Sequence, residues 1–244
     1  IVRLIVDSEQ GLDLLAQGMS GVENPFPFVI DVDASLRLLG GLIHIGVRRS
    51  PVRSVSDVLR LIEFSKKFLH LKFDGLMMYE AQVAGLVDRN PFKKWFNPVA
   101  WMIRKISMLS VSQKRQNLAQ ALKKRGVNYS IFNGGGSGSF NLALNEAALT
   151  EVAVGSGFLD SHLFDYYSNI HFGPALYFGL PVCRKSDPDY VTCFGGGYIA
   201  SGEPAWSRLP ISVWPEGLKL LPMEGCGEVQ TPLRASLAVT KQLK

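Results

Sequence analysis

The sequence is poor in the residues that staple or ligate. It has three cysteines, Cys183, Cys193 and Cys226, none in a C-x-x-C spacing. An odd, scattered set builds neither a disulfide framework nor a zinc site, so stability must come from a packed core. The four histidines, His44, His70, His162 and His171, also lack metal-ligand spacing and read as structural. No stretch reaches the roughly 18 uninterrupted apolar residues of a membrane span, and the start shows no succession of charged, apolar and small residues typical of a signal peptide. A soluble, cytoplasmic protein is the expectation, with neither membrane nor nucleic acid as partner. The chain opens on Ile1, in what already reads as a buried strand, so a fragment or a chain processed inside a domain is expected.

Acid is missing from one long stretch: residues 89–125 contain ten Lys or Arg and no Asp or Glu, in a chain of net charge +5. Clustered basic charge suits an anionic surface, and a binding module for such a surface is one reading. The other is a solvated helix face with a few cations near an anionic ligand or a partner subunit.

What is present is ample apolar material. With 47% hydrophobic and 19% charged residues over 244 positions, the composition is that of a globular chain with one large core or two smaller ones. Short apolar runs followed by helix-like segments recur through the first two thirds, the pattern of a parallel sheet or β/α barrel. Strands are expected at residues 4–6, 28–32, 69–78, 129–132 and 151–154. Helices are expected at 11–17, capped by Ser8, at 56–67, where Val58, Leu59, Leu61, Ile62 and Phe64 make an apolar face, and over about 25 residues ending near Lys124. Residues 40–46 read as a glycine-rich loop. From Phe172 onward the texture changes to short strands, at 175–184, 190–194 and 198–201, separated by Pro and Gly. The expected organisation is a partial β/α (TIM-like) barrel over 1–171 followed by a β-rich domain over 172–244.

Each expected barrel strand runs into a polar or glycine-rich segment, and in a β/α barrel those ends converge on one face. Asn133-Gly134-Gly135-Gly136-Ser137-Gly138-Ser139 lies between a strand and an expected helix at 142–149, an arrangement in which backbone N–H groups can hold an anion. A flexible surface turn is the competing reading. There is no Gly-Lys-Ser/Thr ending of a nucleotide loop and no acid at dinucleotide-fingerprint spacing. Gly155-Ser156-Gly157 follows the next strand, and paired glycine-rich loops after adjacent barrel strands are a recurrent phosphate site.

Asp31-Val32-Asp33, Gly75-Leu76-Met77-Met78-Tyr79-Glu80, the 133–139 run and Glu151-Val152-Ala153-Val154-Gly155-Ser156-Gly157 stand in an order that resembles the alanine-racemase-like barrel of D-threonine aldolases and D-serine dehydratases, which are fold-type III pyridoxal-phosphate (PLP) enzymes. Gly195-Gly196-Gly197-Tyr198-Ile199-Ala200-Ser201-Gly202 and Gly225-Cys226-Gly227-Glu228-Val229-Gln230-Thr231-Pro232 resemble the amino-acid deaminase/aldolase branch, so the likeness spans nearly all of residues 1 to 233. The resemblance implies PLP at the barrel mouth, its phosphate held by Gly135, Gly136, Ser137, Gly155 and Ser156. It implies Tyr79 beside cofactor and substrate, where the competing reading is a buried strand-end tyrosine. It implies an arginine facing the pyridine nitrogen: Arg37, with Arg48 or Arg49 as alternatives. Such an arginine leaves the ring nitrogen unprotonated.

The implied activity is β-elimination, deamination or retro-aldol cleavage of a D-amino acid, with racemisation a sibling and a homodimer the expected full-length form. The chain departs from the family in one respect. Its first strand matches the family's fourth, so the segment with the Schiff-base lysine is not in it, and Lys66, Lys67 and Lys72 are no substitutes. A catalytically inactive fragment is therefore the alternative. No family-like strand is expected after Pro232, and any divalent metal ligands of the relatives would lie beyond it, so the resemblance assigns no metal residue here.

Overall fold

The computed structural model describes residues 2–200 and 205–243. The chain falls into two compact units, Ile1–Leu86 with Pro98–Gly155, and Val87–Asn97 with Ser156–Lys244. In chain order the first unit contains β1 (Leu4–Val6), α1 (Glu9–Gly18), β2 (Phe26–Asp31), β3 (Leu36–Leu38), β4 (Ile43–Ile45), α2 (Val55–Ser65), β5 (Leu71–Met78), α3 (Ala81–Ala84), α4 (Asn97–Lys124), β6 (Ile131–Gly134), α5 (Phe140–Ala143) and β7 (Glu151–Val152). Five of these strands form one parallel sheet, in the order β1-β2-β5-β6-β7. The expected partial β/α barrel, a run of parallel strands with helical crossovers, is what the first unit shows.

Local sequence explains where the helices begin. The Ser8 hydroxyl accepts from the Gly11 N–H at 3.1 Å and starts α1. At α2, Ser54 and Asp57 form a reciprocal capping box, satisfying donors that a bare helix end would leave open. The faces of α1 and α2 that carry Leu12, Leu15, Val58 and Leu61 then close on Phe28, Ile30, Leu76 and Phe132 of the sheet, all of them buried. His70 has the structural part expected of it, its Nε2 lying 2.8 Å from the Ala16 carbonyl.

Several expectations need correction. Residues 36–45 form a hairpin, β3 against β4, rather than a loop; Gly40 and Gly41, at φ of 67° and 101°, supply the left-handed turn. The helix expected at 142–149 is only the four-residue α5, and β7 pairs over two residues instead of four. The long helix α4 runs for 28 residues.

A polar tie crosses the sheet. Asp74 on β5 takes Arg3 Nε at 2.6 Å, and it also accepts the Ser130 hydroxyl. Burial by itself raises the Asp74 pKa, but the bonds from Ser130 and Arg3 outweigh burial and hold it below the ordinary value. The stabilisation is therefore complete above the unfolded carboxylate pKa of about 4 and is lost as pH falls through the lower folded value. Asp74→Asn should cost about 1–2 kcal/mol at neutral pH. The gap between variant and parent should close in acid, as read by urea unfolding across a pH series; a gap that widens in acid would contradict this assignment.

The second unit carries β8 (Val182–Arg184), β9 (Tyr190–Phe194), β10 (Lys219–Leu220), β11 (Gln230–Arg234) and a short α6 (Leu237–Thr240). The strands form an antiparallel sheet, ordered β10-β11-β9-β8, over a small core that includes Val191, Cys193, Leu218 and Leu233. Strand β11 overturns the expectation that strand structure stops at Pro232. Leu233 and Arg234 pair with β10, which ends there, so the β10 side is open at Pro232, where a missing N–H is tolerated. The strand expected at 175–184 shrinks to β8, and residues 198–200 form none; Ser201 lies outside the described residues.

The two glycine motifs of this unit meet. The Thr231 hydroxyl donates to the Gly195 carbonyl at 2.6 Å, and a Cβ on Gly196 would come within 2.5 Å of that hydroxyl oxygen. Their glycines serve close strand packing.

Candidate functional site

The chemistry-bearing ends of β5 and β6 lie side by side, because Met78 pairs with Gly134. Beyond Met78 come Tyr79 and Glu80; beyond Gly134 comes the 135–139 loop. Residues 134–139 are all buried, which excludes the reading of a flexible surface turn.

Glu80 holds this loop from beneath. Its carboxylate accepts the Gly135 N–H at 3.2 Å and the Ser139 hydroxyl at 2.6 Å, and it pairs with Arg115, which α4 inserts fully buried. Arg115 also donates to the Met78 carbonyl at 2.6 Å and to Glu146. Burial raises the Glu146 pKa, while Arg115 opposes the shift. The guanidinium lies so close to the strand that a Cβ on Gly134 would sit 2.5 Å from Arg115 Nη2. Roughly three turns back along the same buried face of α4, Arg104 donates to the Leu86 carbonyl at 2.7 Å and to the Gly138 carbonyl at 3.2 Å.

These arginines come from the acid-free stretch, so a solvated face describes only part of it. Two of its cations are buried fasteners for the glycine loop. The signal was available in part: Ala100, Arg104, Ser107, Val111, Arg115, Leu118 and Leu122 follow the spacing of one helix face. Glu80 and Glu146, the carboxylate partners of Arg115, had no such signal.

The sequence-derived candidates separate. Tyr79, Gly135 and Gly136 come together: a Cβ on Gly136 would lie 2.6 Å from Tyr79 Cε2, so only glycine lets the ring rest there. Gly135, at φ 78°, makes the turn and gives its N–H to Glu80. Ser137 is buried in the same loop. Gly155 is exposed beyond β7, and Ser156 opens a 3-10 turn in the second unit.

Arg37, on β3, gives its guanidinium to Asp33, with Nε at 3.2 Å; Asp33 also takes the Ser35 N–H and hydroxyl. Arg49 is the arginine at the tyrosine, its guanidinium carbon 5.9 Å from the Tyr79 ring centre. Burial, seconded by Glu80, raises the Tyr79 pKa, and Arg49 opposes it. Asp31 is likewise raised by burial, against Arg49. Among the described residues no group of three His, Cys, Asp or Glu is placed to hold a metal ion. No described helix is long and apolar enough to cross a membrane.

No family model and no curated protein matches the chain. Solved structures do. D-threonine aldolase from Filomicrobium marinum superposes with a TM-score of 0.72 at 18% identity, over 96% of this chain and 56% of that one. An alanine racemase-like protein from Idiomarina loihiensis gives 0.63 at 11% identity, over 99% and 61%. D-threo-3-hydroxyaspartate dehydratase from Delftia sp. HT23 gives 0.56 at 14% identity, over 96% and 58%. The chain therefore spans about three fifths of these proteins. Over that length, with its parallel strands, helical crossovers and following antiparallel sheet, it has the alanine racemase-like, fold-type III architecture that they share.

Proposed function

We propose that the chain is the PLP-binding part of an enzyme that acts on D-amino acids by β-elimination or retro-aldol cleavage. In this reading residues 1–171 supply the cofactor-binding barrel wall and 172–244 the β-rich domain. One observation carries it: the buried 134–139 loop, pinned by Glu80, Arg104 and Arg115, with Tyr79 packed against Gly136. When bound, PLP would spread the negative charge that develops on the substrate's α-carbon.

The residues present fit such a group. Gly136 offers backbone where no side chain has room, Ser137 brings a hydroxyl, and Glu80, the acid bonded to the loop, is paired with Arg115. Gly136, Ser137 and Gly155 would hold the phosphate, while Gly135, its N–H committed to Glu80, sets the turn. Tyr79, raised by burial, keeps its proton at neutral pH and can deliver it to a leaving oxygen. Arg49, already over Tyr79, would face the pyridine nitrogen in place of Arg37, the first choice of the resemblance.

Equilibrium dialysis against PLP tests the reading. The parent chain should bind, inorganic phosphate should compete, and Gly136→Val should weaken binding at least about tenfold, or ~1.4 kcal/mol, by driving Tyr79 off the loop. Tyr79→Phe should leave PLP binding nearly unchanged. If the parent binds no PLP, or Gly136→Val binds as well as the parent while remaining folded by circular dichroism, the assignment is wrong.

A further inference from the structure

Two of the three cysteines lie on neighbouring strands of the second unit. Strand β8 stands at the edge of the antiparallel sheet, with β9 as its neighbour. Val182 of β8 pairs with Cys193 of β9, and the next pair is Arg184 with Thr192. Two steps along β8 match one step along β9, so Cys183 is the extra residue of a bulge, opposed to Cys193 and Thr192. Backbone contacts close the same corner. The Pro181 carbonyl accepts the Phe194 N–H at 3.0 Å and the Cys183 thiol at 3.8 Å, so the residue after Cys193 shares an acceptor with the Cys183 sulfur.

Residues opposed across antiparallel strands have Cα atoms about 4.5–5.5 Å apart, within the roughly 4.4–6.8 Å that a disulfide spans. The two thiols differ in access. Cys183 is exposed, whereas Cys193 is 5% exposed and belongs to the small core. Burial, seconded by Cys183, raises the Cys193 pKa, so Cys183 is the thiol that meets an oxidant first. Cys226 instead directs its thiol to the Pro210 carbonyl, at 3.8 Å. Sequence spacing carries no sign of such a pair; the strand register supplies it.

We propose that Cys183 and Cys193 are a redox-active pair, which a small-molecule disulfide such as oxidised glutathione converts into a covalent clip across β8 and β9. The Cys183 thiolate attacks one sulfur of the oxidant, breaking its S–S bond and forming a mixed disulfide, and one glutathione leaves and takes up a proton. The Cys193 thiol then gives its proton to water and its sulfur attacks the Cys183 sulfur. The second glutathione leaves and is protonated. Two protein thiols are thereby oxidised by two electrons, and one oxidised glutathione is reduced to two thiols. The clip ties the three-residue edge strand to its longer neighbour, and it does not depend on the PLP reading of the first unit.

Peptide mapping without reductant tests the proposal on the folded 244-residue chain, after incubation with about a tenfold excess of oxidised over reduced glutathione and alkylation of the remaining thiols. Most of the chain should lose two hydrogens and yield one linked pair of peptides, Cys183 to Cys193, with Cys226 outside the link. Excess reduced glutathione should open it. Cys183→Ser, a change at an exposed position, should leave Cys193 unmodified, and Cys193→Ala should stop at a glutathione adduct on Cys183. Cys226→Ser should behave as the parent does. A parent chain that halts at the Cys183 adduct, joins Cys183 to a second copy, links either cysteine to Cys226 or does not react overturns the proposal. So does a Cys183–Cys193 link that forms only with loss of the far-ultraviolet circular dichroism spectrum, because the pair is then a product of unfolding.

Discussion

Arg115→Met should destabilise the first unit by about 3–5 kcal/mol, because it strips the cation from a buried ion pair and leaves the carboxylates behind. Arg115 and Glu80 are both fully buried, and Glu146 nearly so. Methionine fills much of the volume, so the loss measures charge and hydrogen bonds more than a cavity. Glu80 would retain the Gly135 N–H and the Ser139 hydroxyl but face no cation, and the Met78 carbonyl would lose its donor. Urea unfolding of the variant reads the cost directly.

The double variant Arg115→Met, Glu80→Gln separates causes. Removing the orphaned charge should recover a substantial part of the loss, since the two sites are in contact and their effects do not add. A single-variant cost below about 1 kcal/mol would mean that the pair is solvated and does not fasten the loop.

Gly75→Ala should be at least as damaging. Gly75 sits in β5 opposite Ile131 of β6, and a Cβ there would lie 1.9 Å from the Ile131 carbonyl oxygen and 2.4 Å from its Cγ2. The obstacle is backbone, so the two strands must move apart in the middle of the sheet. Overpacking by one methyl commonly costs about 1–3 kcal/mol where side chains can yield; here about 4 kcal/mol or more is expected. At roughly 2–4 °C per kcal/mol for a chain of this size, the melting temperature should fall by about 10 °C. Trimming Ile131 to Val should not rescue it, because the carbonyl remains. A shift of under about 3 °C would show that the strands are farther apart than described.

Much of the fold was legible because it follows from local rules. Val58, Leu61 and Ile62 mark the buried side of α2, and Ser8 and Ser54 its neighbours' and its own start; period and capping chemistry are properties of a few adjacent residues. The glycine run at 133–139 likewise announced a close backbone approach. The hairpin at 36–45 and strand β11 were not legible. The first is three residues a side and the second contains a proline, so neither carries a strand pattern that stands out from loop composition.

The sequence by itself determined the alternation of strands and helices, the helix caps, and the glycines and Tyr79 as a candidate site. Only the tertiary structure decided what each charged residue does. Arg115 and Lys105 stand in the same acid-free helix and look alike in sequence, yet one is fully buried against Glu80 and the other is exposed beside Trp101. Arg37 was the first candidate, with Arg48 or Arg49 as alternatives, and the β3–β4 hairpin sets Arg37 on Asp33 while Arg49 lies over Tyr79. The physical reason is range. Periodicity and capping act between residues a few positions apart, whereas the partner of a charge is set by which distant segments the folded sheet brings within a few ångströms, 35 positions apart for Glu80 and Arg115.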